Sequence, residues 1–196
     1  MPRVPLFRNA AVGLLVAAVL TGCTGPAVVT PAATPTPSVT TPTPTSPPSL
    51  ADDDLYALAV SQYEKLHAIF ADVDSHGGAP SLPDSSHEVM MSPAWGAYDQ
   101  AYRDVLLRGE KLIGDPQYTI SKMERLYGEG PIGGAVVALQ TCEVFQGASV
   151  VDRDGNIIND GTPSITHMNA YLKYDETDWQ LKVFVLDGEV VDTCPF

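Results

Sequence analysis

The sequence predicts an α+β domain over residues 50–196, and three observations predict it. Apolar residues recur at helical spacing in two early segments. After Tyr118 they alternate with polar residues at strand spacing. Asp-Gly and Gly-rich turns then separate short β-rich runs. Helices first and an antiparallel meander after them is the α+β order.

The first helix starts near Ser49-Leu50-Ala51-Asp52, which has the form of a capping box. Asp53 and Asp54 are placed to favour the positive end of the helix dipole. Leu55, Leu58, Ala59, Tyr63, Leu66, Ile69 and Phe70 form one apolar face, so the helix runs to about Ala71. Residues 72–91 carry Gly77-Gly78, Pro80 and Pro83 and read as a loop. Ser92 then serves as a cap and Pro93 as a first-turn proline. Trp95, Tyr98, Tyr102, Val105 and Leu106 mark a second helix that ends at Gly109 or, one turn later, at Gly114.

Residues 118–127 read as a strand, and Gly128-Glu129-Gly130-Pro131 and Gly133-Gly134 punctuate the chain after it. Ala135 to Phe145 is a core strand. Ala148 to Asp152 is short and β-branched, turning at Asp154-Gly155. Thr166 to Tyr174 alternates His167, Asn169, Tyr171 and Lys173 against Met168, Ala170, Leu172 and Tyr174. Trp179, Leu181, Val183 and Val185 share a face of the next strand, and Asp187-Gly188 turns into Glu189 to Thr193.

The N-terminus is of another kind. Arg3 and Arg8 precede an apolar run from Ala10 to Leu20, and no acidic residue occurs before Asp52. That is the layout of a secretory leader, with an apolar stretch too short to span a bilayer well. Leu20-Thr21-Gly22-Cys23 closes it. These four residues resemble the lipobox of bacterial lipoproteins. The resemblance implies a signal peptide over 1–22, a diacylglycerol thioether on Cys23, and anchoring to the outer face of the cell membrane. An ordinary signal peptide with a cysteine near its end, and an uncleaved anchor, are the alternatives.

Residues 23–49 follow as a tether of Pro, Thr, Ala, Val, Ser and Gly after the cysteine, without a charge or an aromatic ring. Such a segment cannot bury enough apolar surface to offset its ordering entropy, and its prolines favour polyproline II. All 24 acidic residues lie beyond it. Only nine of the 11 Lys and Arg remain once Arg3 and Arg8 leave with the leader, so the mature chain stands near −15. That charge argues against nucleic acid or anionic lipid as direct partners.

The three cysteines are Cys23, Cys142 and Cys194, an odd count for an exported chain. Lipidation of Cys23, as the lipobox resemblance implies, leaves an even pair. An oxidising compartment then favours a Cys142–Cys194 disulfide over two buried free thiols. No C-x-x-C spacing points to a metal.

The domain is also similar to the NTF2-like, cystatin-like fold, and in detail to NTF2-like lipoproteins of actinobacteria. The residues that carry this are Cys142 at the end of a strand, the Asp154-Gly155 hairpin, Trp179 opening a strand and the closing Cys194. The resemblance implies N-terminal helices packed in the concavity of a curved antiparallel sheet. The stretch Asn156 to Ile165 departs from the pattern as a longer loop. This fold hosts both enzymes and binding modules and decides little about function.

Chemistry is sparse. His67 lies beside the apolar face of the first helix as a packed or surface histidine. Asp72, Asp74, His76 and His87 sit in or near the proline-glycine loop, without H-x-x-x-H or H-E-x-x-H spacing. Asp152, Asp154 and Asp160 resemble a calcium loop only superficially, because Ile157 stands where glycine is needed and Pro163 where glutamate is needed. There is no G-x-S-x-G and no phosphate-cradling loop, so neither metal nor cofactor is expected. An acid–base pair would draw on His167 with Asp99 or Asp104. Tyr63, Trp95, Tyr98 and Tyr102 form a candidate pocket, and the plainer reading is that they form the core. The sequence therefore favours a lipid-anchored envelope protein that binds another envelope protein, a wall component or a small ligand. The alternative is an isomerase- or hydrolase-like enzyme using the same cavity.

Overall fold

A computed structural model describes residues 46–127 and 132–196, which belong to one compact unit. The leader, Cys23, nearly all of the tether and the Gly128–Pro131 punctuation lie outside the described residues. The described residues form an α+β domain: two helices against one antiparallel sheet. None of its helices is long and apolar enough to cross a membrane.

Helix α1 spans Asp52–Ser75. It begins later than the capping box predicts, with Ala51 at the N-cap and no side-chain cap. Asp52 is drawn elsewhere: both of its oxygens accept from the Arg125 guanidinium, at 2.6 and 3.0 Å. The helix also outruns Ala71 by a full turn, because Val73 adds one more buried residue to the face of Ala59, Tyr63, Leu66 and Phe70. Within the predicted loop lies a short 3₁₀ helix, Asp84–Glu88. Helix α2 spans Ala94–Arg108 with Pro93, not Ser92, at its N-cap. It stops at Gly109, whose φ of 68° is left-handed and open to glycine at little cost.

Five strands follow: β1 (Lys111–Arg125), β2 (Val137–Val151), β3 (Ile157–Asn159), β4 (Ser164–Tyr174) and β5 (Leu181–Val191). The sheet runs β1-β2-β4-β5, with β3 pairing to the end of β2, and all of these pairs are antiparallel. Register shifts interrupt β1–β2 between Gly114 and Gln117 and between Ile120 and Lys122, and β4–β5 at Tyr171. Bulges of this kind bend strands and increase their twist.

Several predicted boundaries move. The two runs on either side of Gly147 are one strand. Gly114 and Gly147, both at positive φ, allow close backbone approach here: a Cβ on Gly147 would meet the Asp115 carbonyl at 2.5 Å. Asp187-Gly188 is not a turn. Gly188 lies within β5 opposite Met168, whose sulfur fills the space a Cβ would need. Trp179 is not in the strand either. It sits at φ 56° in the turn between β4 and β5, where Asp175 and Asp178 accept the amides of Thr177 and Gln180. The stretch after Asn156 holds β3, so it is not a plain loop. Asp152 closes the Asp154-Gly155 hairpin by accepting from the amides of Asp154 and Asn156.

The core lies between the helices and one face of the sheet. Leu66, Met90, Leu139, Leu172, Leu181 and Val183 are fully buried there. Gln62 fastens α1 to β5 by donating to the Leu181 carbonyl at 2.8 Å. Thr141 and Glu143 face this core and Cys142 faces the other way, as strand alternation requires. On the outer face Cys142 is bonded to Cys194, with Cα atoms 5.9 Å apart, so the chain end after β5 is tied across the sheet.

Candidate functional site

Helix spacing and strand alternation bring the site together. On α1, Tyr63, Leu66, His67 and Phe70 are separated by three or four residues and share a face. On β2, Thr141 and Glu143 point at that face, and Tyr118 reaches it from β1. Tyr98 and Tyr102 close it from α2. Between these elements is a cavity of about 150 Å³, with Met168 and Leu186 completing its wall from the sheet. His67, Tyr98, Tyr118 and Leu186 are only half-buried, so one side of the cavity meets solvent.

Its centre is Glu143, 2 % exposed. Tyr63 donates to one carboxylate oxygen and Tyr118 to the other. Thr141 Oγ1 donates to the first at 3.0 Å and lies 3.2 Å from the Tyr63 hydroxyl. Three hydroxyl donors on two oxygens suit a carboxylate, which only accepts. No cation pairs with it among the described residues. Burying a charge is costly unless hydrogen bonds or a counter-charge offset it, and here hydroxyls alone do so.

Burial and the Glu143 charge push the Tyr63 and Tyr118 hydroxyls well above the usual tyrosine range. Burial, assisted by the charges of Glu143 and Asp187, takes Tyr98 to about 12. Tyr102 is raised by burial and by the nearby Asp74 charge. All four therefore remain protonated at neutral pH. His67 stacks on Tyr118 with ring centres 4.2 Å apart and planes 2° from parallel. Burial lowers its pKa, partly opposed by Glu143, so it is neutral at pH 7. Its Nε2 is buried without a hydrogen-bond partner. Tyr118 also walls a second hollow of about 280 Å³, which contains Asp74. Burial lifts the Asp74 carboxyl to about 6, restrained by the Tyr102 hydroxyl.

Of the four aromatics singled out in the sequence, the structure brings Tyr63, Tyr98 and Tyr102 together at the cavity. Trp95 is elsewhere. Its indole donates to Ser86 at 2.8 Å and stacks on His87 at 4.4 Å, pinning the 3₁₀ helix to α2. The acid–base candidates stand apart. Asp99 accepts from the Leu82 amide, from Ser81 and from Arg103, and these bonds hold its carboxyl below the usual range. Asp104 is bonded to Gln100 near the surface. His167 packs against Phe196 on the outer face of the sheet. His76 is exposed and bonds back to the Asp72 carbonyl. Among the described residues no three His, Cys, Asp or Glu are placed to hold a metal ion.

Glu143, Tyr118 and Thr141 are among the site residues that sequence reasoning missed. Glu143 did leave a trace: it is the one charged residue in Val137–Val151. An ionisable group on a strand facing the core is a marker for function or for a buried network. Set beside known proteins, the chain matches no family model, and no curated protein sequence matches it.

Proposed function

We propose that the protein is a lipid-anchored binding domain on the outer face of the cell membrane, taking a small ligand in the helix–sheet cavity. The observation that carries this reading is the cavity of about 150 Å³ beside the hydroxyl-clamped Glu143. A dry apolar void of that size would cost several kcal/mol, at about 24 cal/mol per Å³. This one is lined by polar groups that solvent or a ligand can satisfy. The anchor rests on the Leu20–Cys23 motif at the end of a basic-then-apolar leader. Two N-terminal helices on one face of a bulged antiparallel sheet support an NTF2-like, cystatin-like domain, in which a helix–sheet cleft is a frequent ligand site.

A catalytic reading has one observation in its favour, namely that His67 and Glu143 line the same cavity. A general base needs a lone pair free toward its substrate. Glu143 has three of roughly four acceptor positions filled by its own fold, so binding is the better-supported role.

Two measurements test the proposal. Palmitate labelling of the protein in a lipoprotein-processing host should disappear in Cys23→Ala, and persistent label would refute the anchor. For the cavity, a thermal-shift screen of small compounds should give hits on the wild-type protein that vanish in Leu186→Trp. That substitution fills the cavity from a half-buried position and leaves the Glu143 network untouched. Hits that survive it, or no hits at all, would refute the cavity as the ligand site.

A further inference from the structure

We infer that the ligand is a small organic cation, an alkylammonium or quaternary ammonium head group held among the tyrosine rings with Glu143 as its counter-charge. The inference rests on the cavity being a ligand site and adds the class of ligand.

Charge is the first ground. Glu143 is a buried carboxylate whose partners are all hydroxyls, and no Lys, Arg or His pairs with it among the described residues. A buried charge without an opposite one nearby favours any cation that can reach it. The acidic surface of the domain raises the local concentration of such cations.

Ring chemistry is the second. Tyr63, Tyr98, Tyr102, Tyr118 and Phe70 all line the space. Aromatic faces are electron-rich and attract cations, most of all desolvated ones. Phe70 stacks on Tyr98 at 4.8 Å and His67 on Tyr118 at 4.2 Å, so the ring planes are already held before any ligand arrives. Pre-ordered rings lower the cost of binding.

The cavity suits the competing classes poorly. An anion would need donors, but the Tyr63 and Tyr118 hydroxyls already donate to Glu143, and His67 is neutral. A calcium ion wants six to eight oxygen ligands and finds one carboxylate here, already hydrogen-bonded. The unpartnered Nε2 of His67 gives an alkylammonium N–H or a ligand hydroxyl a further partner.

Calorimetric titration of the full chain in detergent tests this with three probes: choline chloride, its uncharged isostere 3,3-dimethyl-1-butanol, and sodium acetate. Choline should bind one to one and at least about tenfold more tightly than the isostere, with no heat from acetate. In Glu143→Gln the preference of choline over the isostere should fall below about twofold. Tyr98→Leu should weaken choline about tenfold; the Tyr98 hydroxyl lies outside the Glu143 network, so this variant serves even if Glu143→Gln does not fold. Equal binding of choline and isostere, or tighter binding of acetate, overturns the cation class while the cavity stands as a ligand site. If none of the three binds, the cation class is overturned as well, and the wider compound screen decides on the cavity separately.

Discussion

Replacing Cys142 and Cys194 together by serine is expected to lower the unfolding free energy by about 4 kcal/mol. The bond joins residues 52 apart in sequence. Cross-linking a loop of that length removes conformational freedom from the unfolded chain, and the loop-entropy relation gives about 4 kcal/mol at 25 °C. For a domain of this size the melting temperature should fall by roughly 10–15 °C. The loss should also be local. The bond holds the chain end after β5 on the outer face of the sheet, where Phe196 packs near His167 and Lys122. Hydrogen exchange should therefore quicken first in residues 192–196 and along the facing stretch of β4. Unchanged melting of the double variant, or free thiols at Cys142 and Cys194 in the protein isolated without reductant, would show that the bond does not hold the native state.

The second large effect is expected at Lys182, which is 5 % exposed on β5. Its ammonium donates to Asp175 at 2.9 Å and to Asp178 at 2.7 Å. Burial alone would lower its pKa, but the bonds to Asp178 and Asp175 outweigh burial and raise it. In Asp175→Asn/Asp178→Asn the charge stays buried without an opposite one, at a cost of about 3–5 kcal/mol by urea unfolding. Lys182→Met removes the charge with the need for it and should cost far less. The pH dependence has a definite sign. The Lys182 bond, then those from Thr177, hold Asp175 at about 2, below its unfolded value of 3.8. Its contribution is thus complete above pH 3.8 and is lost as pH falls toward 2. At about 1.4 kcal/mol per pH unit this is about 2 kcal/mol, and the doubly substituted variant should lack that acid-limb loss. Equal urea midpoints for wild type and double variant would exclude the charge cluster as a stabilising element.

The residues that stayed hidden in the sequence share a physical reason. Periodicity reports which face of an element is buried, and it found the α1 face that includes Tyr63, Leu66 and Phe70. It does not report what lies opposite. Glu143 and Tyr118 are 25 residues apart in the chain and meet only because β1 and β2 pair in one register. Trp95 shows the converse. It has the residue type and helical spacing of a pocket aromatic, yet its indole N–H finds Ser86 in the 3₁₀ helix. Asp187-Gly188 looks like a turn because Gly permits one. Met168 on the neighbouring strand instead makes Gly188 the residue that fits within β5. The capping box at Ser49 failed for a similar reason, since Arg125, 73 residues away, claims Asp52.

By itself the sequence determined the α+β order, most of the helix face of α1 and the Asp154-Gly155 hairpin; it offered Gly109 and Gly114 as alternative stops for α2, and the lipobox resemblance implied the pairing of Cys142 with Cys194. The order, the face and the hairpin follow from spacing and turn chemistry, which act over short distances; only the folded domain chose Gly109 over Gly114 and joined the two cysteines. Tertiary structure decided strand continuity, the fate of Trp95, and the joining of two tyrosines and one threonine to Glu143. Those depend on which distant groups share one small volume, and strand register and helix packing set that volume only once the whole domain has closed.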